Sequence, residues 1–181
     1  GKINQGDINE KAIKESELIF LEGYLWDKGE PKLAFDKAMS ISNAKAMTLS
    51  DQFCVERHKG DFLDLVKNKL DIIFANEQEI KSLIDAKNFE DVIEFGKQLG
   101  KILIITRSEK GSVAIKNKEI IECQSQSGLK IVDLTGAGDL FAAGFLHGFI
   151  NNNSIKESLE KGTEMSAKII QKVGARLDHF T

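Results

Sequence analysis

Cysteine is scarce in this chain: Cys54 and Cys123 are the two thiols among 181 residues. Two thiols do not make the disulfide framework of a small secreted domain, so a reducing cytoplasm is the expected compartment. Histidine is thin as well. His58, His147 and His179 lie far apart, and none has a metal-ligand partner at helical spacing, which argues against a zinc site. No basic block occurs and the net charge is −3, so nothing favours a nucleic-acid partner. No apolar run reaches the roughly 18 residues that a membrane-spanning helix needs, and no membrane partner is expected. The opening GKINQGDINE lacks the pattern of a secretory leader. Repeats, linkers and low-complexity tracts are also missing. What remains, 41% hydrophobic and 29% charged residues, is ordinary globular composition, and the length suits a single domain over 1–181.

Helical and strand signals alternate along the chain. Residues 7–16 read as a helix, with Asp7 and Glu10 at capping-box spacing. ELIFLEG (17–23) is a short apolar strand, and the one proline, Pro31, suits the first turn of a helix over 31–46. MTLSD (47–51) is a second strand and 60–70 a helix. DIIFAN (71–76) is a third strand, followed by the short helix EQEIKSLI. A helix over 89–99 stops at Gly100, and KILIIT (101–106) is a fourth strand. All four strands are apolar rather than alternating, which fits a parallel sheet buried on both faces. VAI and EIIEC around KNK then read as a late β-hairpin. A short strand KIVD (130–133) leads to helices over 137–150 and 155–173, the second boxed by Ser154 and Glu157. The fold class is therefore α/β, a three-layer α/β/α domain.

Chemistry concentrates in IVDLTGAGDLFAAGFLHGF (131–149). In parallel α/β sheets, ligands sit where strands end and helices begin. Gly136, Ala137 and Gly138 place bare backbone at a helix start, where the first amides have no internal partner, and together they form an anion cradle. Asp139 follows in the first turn, where the helix dipole favours a carboxylate by roughly 0.3–1 kcal/mol. An anion site beside a carboxylate suits phosphoryl transfer to an alcohol, a reaction served by positioning and electrostatics. A plain structural turn capped by Asp139 would use the same residues. A dinucleotide fingerprint does not fit, because its third glycine would fall at Phe141, and no Gly-Lys-Ser/Thr follows to make a P-loop.

DLTGAGDLFAAGF resembles the C-terminal signature of the ribokinase-like carbohydrate kinases, which include the phosphofructokinase-B group and adenosine kinase. Leu134 stands where that family usually has threonine. The resemblance implies a catalytic base at Asp139 and an anion hole at Gly136, Ala137 and Gly138. It implies ATP and Mg2+ as cofactors. Asn76 and Glu79 in FANEQEI match the family's Asn-x-x-Glu motif near metal and phosphates, where a carboxylate and an amide oxygen could hold Mg2+ through water. The same spacing is a capping box, and the two roles can coexist. Thr106 and Gly111 match a family turn that approaches the nucleotide phosphates, with Ser108 replacing the usual glycine. IIQKVGARLD resembles the segment that helps enclose the nucleotide base and, in some members, a monovalent cation such as K+; Asp133, Gly174 and Ala175 are the candidates. Gly174 reads equally as a helix end. MTLSDQFCV resembles adenosine-kinase-like members, and FLEGYLWD does so more loosely. Tyr24 and Trp26 could stack on a ligand or simply pack, and the two cysteines read as buried fillers.

Family members are longer. The resemblance covers residues 17–175 and implies a C-terminal, nucleotide-binding portion of a kinase without the N-terminal strands and lid; Gly1 is not a natural start residue. The expected activity is transfer of the γ-phosphoryl group of ATP to a hydroxymethyl of a nucleoside or sugar, adenosine-like nucleosides being slightly favoured, with this chain alone weak or inactive. Two other classes stay open: a non-catalytic nucleotide-binding or interaction module of the same fold, and a dinucleotide-dependent dehydrogenase. An incomplete sheet edge could pair with a second chain as a homodimer.

Overall fold

The apolar runs at 72–75, 102–105 and 113–115 are buried along their whole length, none of their residues being more than 8% exposed. Strands covered on both faces require this, and the runs form the middle of a sheet. The computed structural model describes residues 3–26 and 29–177; His179 lies outside the described residues. Six strands follow one another in sheet order: β1 (Leu18–Glu22), β2 (Ala44–Thr48), β3 (Ile72–Asn76), β4 (Ile102–Thr106), β5 (Ser112–Lys116) and β6 (Glu119–Cys123). β1 with β2 and β2 with β3 pair in parallel. β5 turns into β6 through Asn117 and Lys118, both left-handed at φ 50° and 71°, the conformation a two-residue hairpin loop needs. The helices are α1 (Glu10–Glu15), α2 (Glu30–Ile41), α3 (Gln52–Arg57), α4 (Lys59–Asp64), α5 (Glu77–Ile84), α6 (Phe89–Leu99), α7 (Ala137–Ile150) and α8 (Ile155–Ile169).

The described residues group into two compact units. One holds the chain up to Ile104 together with Ile115–Lys118; the other holds Ile105–Ala114 and the chain from Glu119 onward. In the first unit, Glu22 stands opposite Thr48 and Thr48 opposite Phe74. This register brings the carboxyl ends of β1 and β2 level, with β3 running two residues further, so the segments that follow them share one end of the unit. Gly23 is required there: a Cβ would lie 2.9 Å from the Leu49 carbonyl oxygen and 3.0 Å from the Phe62 ring. In the second unit α7 and α8 pack at backbone distance. A Cβ on Gly144 would meet the Lys161 carbonyl oxygen at 2.6 Å, and one on Gly162 the Phe141 carbonyl oxygen at 2.8 Å.

The structure differs from the sequence reading at several boundaries. α1 starts only at Glu10, with Asn9 as its cap, because Asp7 is engaged in a separate turn boxed by Asn4. α2 ends at Ile41. Ala44–Ala46, strong helix formers by propensity, are drawn into β2 by pairing with Leu18–Phe20, a case of tertiary pairing overriding local preference. β2 accordingly ends at Thr48, and Asp51 caps a helix, α3, that the sequence reading missed. The segment 60–70 breaks into α4 and a π-turn over Leu65–Lys69. KIVD is not a strand. The Val132 and Asp133 amides both donate to the Ile170 carbonyl, at 2.8 and 3.2 Å, so one acceptor replaces a ladder. That carbonyl lies just past α8, which ends at Ile169 instead of reaching 173.

Candidate active site

The Thr135–Asp139 turn is built by its glycines and by one carboxylate. Gly136 is left-handed at φ 78°, and a Cβ there would sit 2.8 Å from that of Ala175. Glycine is therefore imposed at 136 by the turn and by close packing. The Ala137 amide donates to the Leu134 carbonyl at 3.1 Å, and the Leu140 amide to the Gly136 carbonyl at 2.9 Å. The amides of Gly138 and Asp139, between them, have no hydrogen-bond partner among the described residues. A Cβ on Gly138 would meet nothing within 4 Å, and the Asp139 side chain lies in an exposed position.

Asp133 ties this turn to the C-terminal segment. Its Oδ1 accepts from the Thr135 amide (2.9 Å) and hydroxyl (2.7 Å), and its Oδ2 from the Gly174 amide (2.9 Å). The structure thus joins Asp133, Gly136, Gly174 and Ala175, four residues drawn from two separate sequence motifs. The Thr135 hydroxyl first, then the Gly174 and Thr135 amides, pull the Asp133 pKa down from 3.8 to about 2. A carboxylate with a depressed folded pKa contributes fully above its unfolded pKa of about 4 and loses the contribution as pH falls through the folded value. The urea midpoint of the full-length protein should therefore exceed that of Asp133→Asn at neutral pH, with the gap closing as pH falls through about 2. A gap that persists undiminished below that pH would show that the clamp is not electrostatic.

Thr106 and Gly111 bound the β4–β5 loop. The Arg107 amide donates to the Gly111 carbonyl at 2.8 Å, and Ser108 is left-handed at φ 52° in the place where the family usually has glycine. Gly111 has a packing cause: at φ 82°, its Cβ would lie 2.0 Å from the Cys123 carbonyl oxygen.

In the first unit Asn76 and Glu79 form a full capping box. The Glu79 amide donates to Asn76 Oδ1 (2.8 Å), the Asn76 amide to Glu79 Oε2 (2.9 Å) and Asn76 Nδ2 to Glu79 Oε1 (2.6 Å). Glu79 is only 5% exposed. Burial pushes its pKa up, the Asn76 amide opposes this, and the charge of Asp51 adds to the rise. The sequence reading passed over Asp51. Its Oδ1 accepts from the Cys54 amide (2.6 Å) to cap α3, and its Oδ2 accepts from the Tyr24 hydroxyl (2.7 Å). The signal available in the sequence was an aspartate three residues before Cys54, the usual capping interval. Tyr24 is 52% exposed and Phe53, in the first turn of α3, is 76% exposed. Trp26, the other aromatic of the pair, is a packing residue: it is buried edge-on to Phe35 and Phe62, with Nε1 donating to Asp61. Both cysteines are buried.

A family model described as pfkB family carbohydrate kinase matches residues 2–179. The chain belongs to the pfkB family of carbohydrate kinases. An uncharacterized sugar kinase of Archaeoglobus fulgidus is 30% identical over 176 residues, 94% of this chain and 67% of the relative. The solved adenosine kinase of Sinorhizobium meliloti superposes with a TM-score of 0.94 at 34% identity, over 98% of this chain and 56% of that one. A probable sugar kinase from Rhizobium etli gives 0.94 at 36% identity, over 98% and 55%. This pfkB chain thus has the three-layer α/β fold of its ribokinase-like neighbours and spans little more than half the length of those solved kinases.

Proposed function

We propose that the full-length protein transfers the γ-phosphoryl group of ATP to a hydroxymethyl group of a nucleoside or sugar, and that this chain supplies the catalytic base and the anion hole. The observation that carries this reading is the bare backbone at Gly138. Turn geometry or packing demands glycine at 111 and 136; neither does so at 138, where a Cβ would meet nothing within 4 Å. The Gly138 amide and its Asp139 neighbour have no partner among the described residues. A phosphoryl oxygen supplies the acceptor that they lack, and the start of α7 adds the positive end of a helix dipole. Asp139 accepts the proton of the attacking hydroxyl and orients that group.

Asn76 and Glu79 offer the hard oxygen donors that Mg2+ takes. Both Glu79 oxygens are engaged by Asn76, so the pair fits an ion held through its own water rather than directly. When bound, the ion neutralises phosphate charge. Asp133 accepts three hydrogen bonds, which leaves one of its roughly four lone-pair directions for a monovalent cation such as K+. Among acceptors, an adenosine-like nucleoside is favoured, because the half-exposed Tyr24 ring and the exposed Phe53 ring offer apolar faces suited to a planar base.

ADP release by the full-length protein across a panel of nucleosides and sugars tests the assignment. Gly138→Ala sharpens it. The added methyl meets no protein atom, so stability should stay within about 0.5 kcal/mol of wild type. The methyl would obstruct the phosphoryl group, and kcat/KM for ATP should fall about a hundredfold, the scale of losing an oxyanion donor. Undiminished turnover by Gly138→Ala would remove the anion hole from this turn.

A further inference from the structure

In the first unit one carboxylate, Asp51, holds the half-exposed Tyr24 ring and caps the helix that opens with the exposed Phe53 ring. Tyr24 follows β1 and Phe53 opens α3 after β2, and register places the ends of those strands level. Neither ring is held in place by burial. The hydrogen bonds of Asp51 supply the constraint instead: one oxygen caps α3 through the Cys54 amide, fixing the turn that carries Phe53, and the other accepts the Tyr24 hydroxyl. The backbone beneath is also fixed. The Tyr24 amide donates to Ser50 Oγ at 3.3 Å, Ser50 is left-handed at φ 72°, and Gly23 touches Leu49. The short turn bearing Tyr24 packs on α3.

We propose that Asp51 is a positioning residue for acceptor specificity, holding the Tyr24 and Phe53 rings as a preset rim for the planar base of a nucleoside acceptor. This rests on the acceptor reading above. A half-exposed tyrosine left to itself samples several rotamers, and ordering it would be charged to substrate binding. A carboxylate that holds the Tyr24 hydroxyl and caps the helix start bearing Phe53 removes that cost for the Tyr24 ring, and fixes the backbone under Phe53, before the substrate arrives. The rim therefore acts on acceptor affinity and leaves the phosphoryl-transfer step alone.

The test uses the full-length protein with adenosine as the probe and three variants. Asp51→Ser keeps an N-cap oxygen for α3 but has no second oxygen for Tyr24. Tyr24→Phe keeps the ring and loses the hydroxyl. Each should raise the adenosine KM about fivefold, the worth of one hydrogen bond, with kcat within about twofold. The double variant should be no worse than either single one, because both remove the same bond. A spectroscopic readout accompanies the kinetics. The Asp51 carboxylate pushes the Tyr24 phenol up to about 12, and the difference titration against Tyr24→Phe should show that phenol in Asp51→Ser ionising nearer its ordinary value. An unchanged adenosine KM in Asp51→Ser, or single effects that multiply in the double variant, would overturn the positioning role while the acceptor reading stands. Absence of adenosine turnover in the wild type, with ADP released on sugars alone, would overturn both.

Discussion

Asp139→Asn in the full-length protein is expected to lower kcat by about two to four orders of magnitude, the usual contribution of a positioned general base. Affinity for ATP should stay close to wild type, because the open amides at Gly138 and Asp139 belong to the backbone and survive the substitution. The asparagine side chain can still orient a hydroxyl but cannot take its proton. Loss of the carboxylate's interaction with the α7 dipole costs roughly 0.3–1 kcal/mol of stability, far too little to explain such a drop through unfolding. Single-turnover phosphoryl transfer and ATP binding, measured side by side, separate the two effects. A kcat within tenfold of wild type would remove Asp139 from the chemistry. Loss of ATP binding and kcat together would assign it to nucleotide binding instead.

Gly144→Ala is expected to be the most damaging single methyl at the contact between α7 and α8. The new Cβ would lie 2.6 Å from the Lys161 carbonyl oxygen and 2.9 Å from Gly162 Cα, both backbone atoms with no rotamer to yield. Gly162 itself meets α7 one turn away, a Cβ there lying 2.8 Å from the Phe141 carbonyl oxygen, so the two helices are in backbone contact along this stretch. α7 and α8 must move apart, and overpacking of this kind costs roughly 1–3 kcal/mol, more when backbone has to shift. The intrinsic gain of alanine over glycine in a helix, about 1 kcal/mol, offsets only part of that. Gly60→Ala in α4 is the matched control. Nothing lies within 4 Å of its Cβ, so helix propensity acts alone and the melting temperature should hold or rise. Thermal melts of both variants check the pair, and a Gly144→Ala protein as stable as wild type would show that the two helices are not locked at backbone contact.

The legibility of the fold varied with how local its causes were. α5, α6 and α7 have the limits that sequence pattern indicated, because each carries its own cap, periodicity or stop: the Asn76 and Asn88 boxes, the left-handed Gly100, and Gly136 before α7. β3 and β4 were legible as unbroken apolar runs, each within one residue at its start. The failures have distant causes. Ala44–Ala46 read as the end of a helix until strand pairing with Leu18–Phe20 claimed them. KIVD has the composition of a strand, yet its amides go to one carbonyl about forty residues away. Tyr24 and Trp26 looked alike as aromatic ligand candidates, although one faces solvent and the other is packed edge-on to Phe35.

The sequence by itself determined the family, the alternation of strands and helices, and the order of the candidate acid and glycine residues along the chain, since caps, periods and motifs act over a few residues. Tertiary structure decided which glycines exist for packing, and that the one beside Asp139 does not. It decided that Asp133 and Gly174 meet, and that Asp51 joins Tyr24 to the α3 cap. Burial, close approach and hydrogen bonding are made by partners far apart in the chain, and no local pattern encodes the distance between them.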